Sequence, residues 1–151
     1  MNETEPERGS TSGTVAAPGQ KVSSYTLVEK LGAGGLGEVW KARDARLNRV
    51  VALKFITGER TASRELLREA RAASALNHPN IVTIFEVGES EGRTYLAMEF
   101  IEGETLRARM KRAPVPLEET LDIADQVATG LAAAHRQGII HRDLKPENIM
   151  L

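Results

Sequence analysis

The sequence predicts an α+β fold: a five-stranded antiparallel lobe with one helix, followed by helices that begin a second lobe. Three observations carry this. Between Tyr25 and Phe100, short runs rich in apolar and β-branched residues alternate with turns containing Gly or Asn. Residues 62–76 interrupt those runs with an apolar stripe of helical spacing at Ala62, Leu66, Ala73 and Leu76. After Ile101 the spacing turns helical again, longest from Leu117 to Arg136.

The elements follow in order. Residues 1–22 are Glu, Thr, Ser, Gly and Pro with few apolar side chains, the composition of a disordered leader. Tyr25 to Leu31 and Gly37 to Asp44 read as two strands around the Gly32-Ala33-Gly34-Gly35-Leu36 turn. Asn48-Arg49 leads into a third, Val50 to Ile56, and Gly58 and His78-Pro79-Asn80 bracket the helix. Ile81 to Val87 and Thr94 to Phe100 form the last pair, around Glu91-Gly92-Arg93. Glu102-Gly103-Glu104 is a linker, Leu106 to Arg112 a short basic helix, and Pro114 and Pro116 are breakers. In the long helix Leu117, Leu121, Ala124, Ala128, Leu131 and His135 keep one stripe, and Gly138 stops it. The predicted units are the leader 1–22, a first lobe 23–101, and 102–151 as the start of a second, truncated lobe.

The bulk numbers narrow the function. With 151 residues, 41% hydrophobic and 27% charged, the chain has a globular composition. Its 20 basic and 21 acidic residues leave a net charge of −1, which gives no support to nucleic acid or a membrane surface as partner. The absence of cysteine excludes disulfides, thiolate metal sites and a Cys nucleophile. No apolar run reaches membrane-spanning length, and the Glu-rich N-terminus is unlike a secretory signal. A cytoplasmic location is expected, with an anchor beyond Leu151 left open. Composition is silent on the oligomeric state.

Three patterns carry chemistry. Gly32, Gly34 and Gly37 let backbone amides approach phosphate oxygens with no side chain in the way. A dinucleotide fold would need a helix after these glycines, but Glu38-Val39-Trp40-Lys41 is β-type, which favours a phosphate-covering hairpin. In Val51-Ala52-Leu53-Lys54, alternation puts Ala52 and Lys54 on one strand face, a small residue for a flat base beside a cation for its phosphates. That lysine needs an anion. Glu69 falls inside the helical stripe, where a carboxylate is costly unless paired, and Glu65 one turn earlier competes for the role.

The third and most specific pattern is His141-Arg142-Asp143-Leu144-Lys145-Pro146-Glu147-Asn148. Asp143 can accept the proton of an acceptor hydroxyl or orient it, Lys145 can neutralise a moving phosphoryl group, and Asn148 can ligate Mg²⁺. A plain turn would also use Asp and Asn, but not this joint spacing.

Together these residues resemble the N-terminal part of a eukaryotic-type (Hanks-type) serine/threonine protein kinase of the bacterial kind. The matching segments stand in family order: Gly32 to Val39, Val51 to Lys54, Arg68-Glu69-Ala70, Asn77 to Val82, Met98 to Gly103, and 141–148. The similarity covers roughly Tyr25 to Leu151. It implies a kinase small lobe, ATP and Mg²⁺ as cofactors, and a protein substrate with a Ser or Thr acceptor. Leu31, Val39 and Ala52 would enclose adenine from one side and Met150 from the other. The backbones of Glu99 and Ile101 would bond its edge, with Met98 at the rear pocket. Lys54 would hold the α- and β-phosphates and pair with Glu69, and Glu104 would reach the ribose or a basic substrate residue. Arg142 resembles that of kinases whose activation loop is organised by phosphorylation. His141, His78 and His135 would be structural, and Lys145 favours Ser/Thr over Tyr specificity.

The sequence departs from the family in two places. Leu36 stands at the glycine-loop tip where an aromatic is common, and the 151 residues contain no Asp-Phe-Gly or Ala-Pro-Glu motif. Three readings follow: the N-terminal portion of an active kinase, a nucleotide-binding or regulatory module, or a non-functional remnant that exposes the 117–136 stripe. For the 151 residues alone, negligible turnover is expected.

Overall fold

The computed structural model describes residues 16–34, 37–56, 70 and 73–151. Among them are six strands: β1 (Lys21–Val22), β2 (Tyr25–Gly34), β3 (Gly37–Asp44), β4 (Arg49–Phe55), β5 (Ile84–Ser90) and β6 (Arg93–Glu99). They form one antiparallel sheet in the order β1-β2-β3-β4-β6-β5. Two helices follow, α1 (Leu106–Arg112) and α2 (Leu117–Arg136), and a 3-10 turn at Pro146–Asn148. The helix expected over 62–76 lies mostly outside the described residues. Of it, Ala70 and Ala73 are helical, Ala70 is buried, and the Ser74 amide donates to the Ala70 carbonyl at 2.9 Å.

The sixth strand is an addition to the predicted five. Ala16 and Val22, inside the stretch expected as leader, are buried, and the Gly19 amide donates to the Leu27 carbonyl at 2.8 Å. A turn with Ser23 in the left-handed region (φ 54°) folds Val22 back onto Tyr25. The β5–β6 turn is tight for the same kind of reason: Glu91 and Gly92 both have positive φ, 51° and 72°, the pattern of a two-residue hairpin loop that matches strand twist. Strand β5 begins at Ile84, three residues later than predicted, because Ile81 pairs instead with His78 in an isolated bridge.

Strand alternation sorts the sheet into two faces. Tyr25, Leu27, Trp40, Ala42, Val51, Leu53, Phe55, Tyr95 and Ala97 join Ala16 and Val22 in one buried cluster. Its rim is polar, and its tyrosines are paired. The Tyr25 and Tyr95 hydroxyls donate to the two carboxylate oxygens of Glu86 at 2.9 and 3.0 Å, and Arg46 closes on Glu86 at 2.9 Å. Buried Asp44 accepts from the Arg46 and Leu47 amides and caps the β3–β4 turn.

Helix α2 ends in a Schellman motif: the Gly138 amide (φ 73°) donates to the His135 carbonyl and the Ile139 amide to that of Ala134. Its packed face differs from the predicted stripe. Gly130, Ala133 and Ala134 are buried, whereas Leu117 is 75% exposed and Leu121 60%. Gly130 is small by necessity, since a Cβ there would lie 3.0 Å from the Asn80 carbonyl oxygen. Asn80 also donates to Gln126 at 3.0 Å, so the 78–82 loop docks on α2 through close backbone approach and amide pairing.

Candidate active site

The second face of the sheet carries the candidate binding residues. Val39 lies opposite Lys54 in the β3–β4 register, and Leu96 and Met98 of β6 lie opposite Lys54 and Ala52. Val39, Ala52, Lys54 and Met98 therefore share a face, as period-two alternation requires. Leu31 sits at a register shift between Lys30 and Gly32 and is exposed. At Gly32 and Gly34 a Cβ would meet nothing within 4 Å, so protein packing at these positions does not demand glycine. Positions 35 and 36 lie outside the described residues, as do Glu69 and Glu65.

The 141–148 loop gathers its charged groups tightly. Lys145 Nζ bonds both Asp143 carboxylate oxygens, at 2.9 and 2.7 Å. Asn148 Nδ2 donates to the Asp143 carbonyl at 2.8 Å and to its Oδ2 at 3.2 Å, and the Asp143 amide donates to the His141 carbonyl at 2.8 Å. Arg142 is held in the left-handed region, φ 60°, an uncommon conformation for a non-glycine residue. The Lys145 bond, helped by Asn148, holds the Asp143 carboxyl below the usual carboxylate range, so it is ionised at neutral pH. Burial pushes the half-buried Lys54 ammonium below its ordinary value, Asp143 pulls it back up and Lys145 opposes that pull. Asp143 lies 89 positions after Lys54 in the sequence, and its charge still favours the Lys54 ammonium.

The segment between sheet and helices joins the two groups. Glu99 ends β6, its amide donating to the Thr83 carbonyl at 2.9 Å, and among the described residues the Ile101 backbone has no partner. Beyond it the chain meets the exit of the loop. The Leu151 amide donates to the Glu104 carbonyl at 2.9 Å, Thr105 bridges Met150, and the Leu106 amide donates to the Ile149 carbonyl at 2.8 Å. A cavity of about 520 Å³ is lined by Glu99, Ile101, Asn148 and Met150 together with Ile123 and Val127 of α2, and does not reach Ala52 or Lys54.

The structure brings Asp143, Lys145 and Asn148 together, puts Val39, Ala52 and Lys54 on one face, and places Glu99, Ile101 and Met150 around one cavity. Glu104 pairs with Arg112 at 2.7 Å. His141 accepts weakly from the Asp143 amide through Nδ1, and His78 accepts from the Asn80 amide, both local structural roles. Sequence reasoning missed the clasp between α1 and the loop, made by Arg107 with Glu147 at 2.8 Å.

An antiparallel sheet, a short connecting segment and a charged loop at its far end define a two-part α+β protein with a polar junction. Residues 25–151 match the protein kinase domain. The chain is 37% identical over 139 residues to the serine/threonine-protein kinase PrkC of Bacillus subtilis (strain 168), covering 88% of this chain and 22% of that protein. It is 40% identical over 145 residues to the serine/threonine-protein kinase PknD of Mycobacterium tuberculosis (strain CDC 1551 / Oshkosh), covering 93% and 22%. The crystal structure of the M. tuberculosis PknI kinase domain superposes with a TM-score of 0.82 at 32% identity, over 91% of this chain and 57% of that one. This chain belongs to the protein kinase family. It spans about a fifth of the length of the curated relatives it matches.

Proposed function

We propose that this chain supplies the ATP-binding lobe and catalytic loop of a serine/threonine protein kinase, which transfers the ATP γ-phosphate to Ser or Thr hydroxyls of protein substrates. The observation that carries this is the Asp143–Lys145–Asn148 cluster of the 141–148 loop, alongside Lys54 on the sheet face of Ala52. That arrangement matches what phosphoryl transfer needs, which is positioning and charge stabilisation rather than a covalent intermediate.

The site's donors suit the two cofactors. Leu31, Val39 and Ala52 would enclose adenine with Met150, and the free backbone of Ile101 beside Glu99 would bond its edge. Lys54, with Glu69 as its partner, would hold phosphates under the glycine hairpin. Gly32 and Gly34, open to approach, support that reading. Asn148 spends its amide hydrogens on Asp143, which leaves Oδ1 as a hard oxygen ligand for Mg²⁺. Asp143, ionised, orients the acceptor hydroxyl and can take its proton late. Lys145, now resting on Asp143, would move to the transferring phosphate.

In this reading 23–101 is the small lobe and 102–151 the hinge end and first part of the large lobe, in a cytoplasmic protein. No helix among the described residues is long and apolar enough to cross a membrane. The 151 residues alone are expected to bind nucleotide with negligible turnover, because phosphoryl transfer also needs the metal ligand of the Asp-Phe-Gly motif, which they do not contain.

Calorimetric titration with Mg·ATP tests this. Lys54→Met should weaken binding at least about tenfold, whereas Asp143→Asn should leave it within about twofold. No binding by the unaltered chain at millimolar nucleotide would sink the reading. Transfer of labelled phosphate that vanishes in Asp143→Asn would overturn the expectation of negligible turnover.

A further inference from the structure

We propose that Glu38 is a positioning residue, whose carboxylate braces the end of the glycine hairpin against the start of β6 and so sets how Gly37 and Val39 lie over Ala52 and Lys54. The inference rests on the nucleotide reading above and adds a determinant of affinity that itself touches no nucleotide. The hairpin outruns the rest of the sheet. Pairing of β3 with β4 stops at Val39 opposite Lys54, whereas pairing of β3 with β2 runs on to Gly34 opposite Gly37. Every residue of β2 from Val28 to Gly34 is exposed, and the register slips twice, between Leu27 and Glu29 and between Lys30 and Gly32. Two strands with an interrupted ladder and little burial do not fix their own angle to the sheet.

Glu38 supplies what the pairing does not. Alternation puts it on the face of Trp40 and Ala42, away from Val39. There its carboxylate meets three donors: Lys30 Nζ across the hairpin, and Trp40 Nε1 and the Arg93 guanidinium, each at 3.5 Å. The Lys30 bond above all holds the Glu38 carboxyl below its usual range, so it is ionised at neutral pH. That bond lies within the hairpin. Arg93 lies outside it, at the first position of β6, with its guanidinium 4.0 Å from the centre of the Phe55 ring. Phe55 belongs to the buried core, so the stack fixes Arg93 against the sheet. Glu38 and Arg93 expose 24% and 27% of their side chains, so salt screens this pair less than one on open surface. The pair joins the end of the hairpin to the core, and a shift of Glu38 carries its neighbours Gly37 and Val39 with it.

Calorimetric titration with Mg·ATP tests the brace. Glu38→Gln keeps the side-chain length and an acceptor for Trp40 but loses the charge. It should bind Mg·ATP about fivefold more weakly, because an unbraced hairpin spends less time in the binding arrangement. Arg93→Gln should lose about as much, and the double variant no more than either alone, because all three break one pair. Arg46→Gln, which breaks the Arg46–Glu86 pair away from the hairpin, serves as control and should bind within about twofold of the unaltered chain. A merely structural role would lower urea midpoints without lowering affinity, so each midpoint is measured beside its titration. Unchanged affinity in Glu38→Gln or Arg93→Gln overturns the proposal, and so do losses that add in the double variant. If the unaltered chain binds no Mg·ATP, the nucleotide reading fails and the proposal with it. Should a glutamine variant not fold, Glu38→Asp decides. Its carboxylate falls one methylene short of Arg93 and should show a loss of about fivefold as well, and unchanged affinity there overturns the proposal.

Discussion

The sheet and the helical segment are held by different forces. Eleven buried side chains from the sheet and its N-terminal approach make a core that needs nothing from residues beyond 101. In the helices, α1 buries no residue and α2 only Gly130, Ala133 and Ala134. Their ties are polar: Arg109 grips Glu119 with two bonds, at 3.0 and 2.8 Å, Arg107 holds Glu147, and Asn80 holds Gln126. The difference teaches where rigidity lies in the candidate site. Val39, Ala52 and Lys54 stand on the sheet and its core, whereas Asp143, Lys145 and Asn148 follow helices that bury little and are tied mainly by polar pairs.

The largest expected effect tests the core directly. Leu53→Ala, at a fully buried position, should cost about 2–5 kcal/mol in urea unfolding followed by the fluorescence of Trp40, whereas Leu121→Ala on α2 should change stability by no more than about 0.5 kcal/mol. Comparable losses at both positions would erase the contrast. Next is Gly88→Ala. A Cβ there would collide with the Tyr95 ring and hydroxyl, so overpacking should cost about 1–3 kcal/mol and strain the Tyr95–Glu86 bond.

A smaller effect sharpens the helical side. Arg109→Ala should remove at most about 1 kcal/mol, lowering the helical circular dichroism signal before Trp40 fluorescence changes. Molar salt should reproduce part of that loss in the unaltered chain, because it shortens screening to about 3 Å. Coincident transitions by both probes would show the two regions to be one cooperative unit.

The last test is a pH dependence. Burial, then the bond to Glu86, pushes the Tyr25 phenol up to about 12 from its ordinary 10.0. The folded state therefore keeps a proton that the unfolded chain releases. This contribution to stability is intact below pH 10 and fades as pH rises toward 12. Tyr25→Phe should flatten that decline, measured as urea midpoints across the interval. An unchanged slope would remove Tyr25 as its source.

Much of the fold was legible because its signals are local. Alternation in 51–54 correctly put Ala52 with Lys54 and Val51 with Leu53. Both helices match their predicted limits, Leu106–Arg112 and Leu117–Arg136. Two elements escaped. Strand β1 is two residues long and stable only through pairing with β2 and burial of Val22, so it leaves no periodic trace. The packed face of α2 is the second: the 117–136 stripe stays exposed at Leu117 and Leu121, as one reading expected, and no periodicity singled out Gly130. The bulkier Leu117 and Leu121 suggested one stripe, but contact with the 78–82 loop selects the face where Gly130 allows close approach.

The sequence by itself determined the order of elements, the two faces of the sheet and the composition of the 141–148 loop. Each depends on neighbours within a turn or a strand. Only the tertiary structure decided that Asn148 turns its amide hydrogens toward Asp143 and that α2 meets the 78–82 loop at Gly130. The α2 contact joins residues far apart in the sequence, and the Asn148 amide is oriented by the folded shape of its own loop. Such approaches depend on packing and backbone path together, which no local periodicity records.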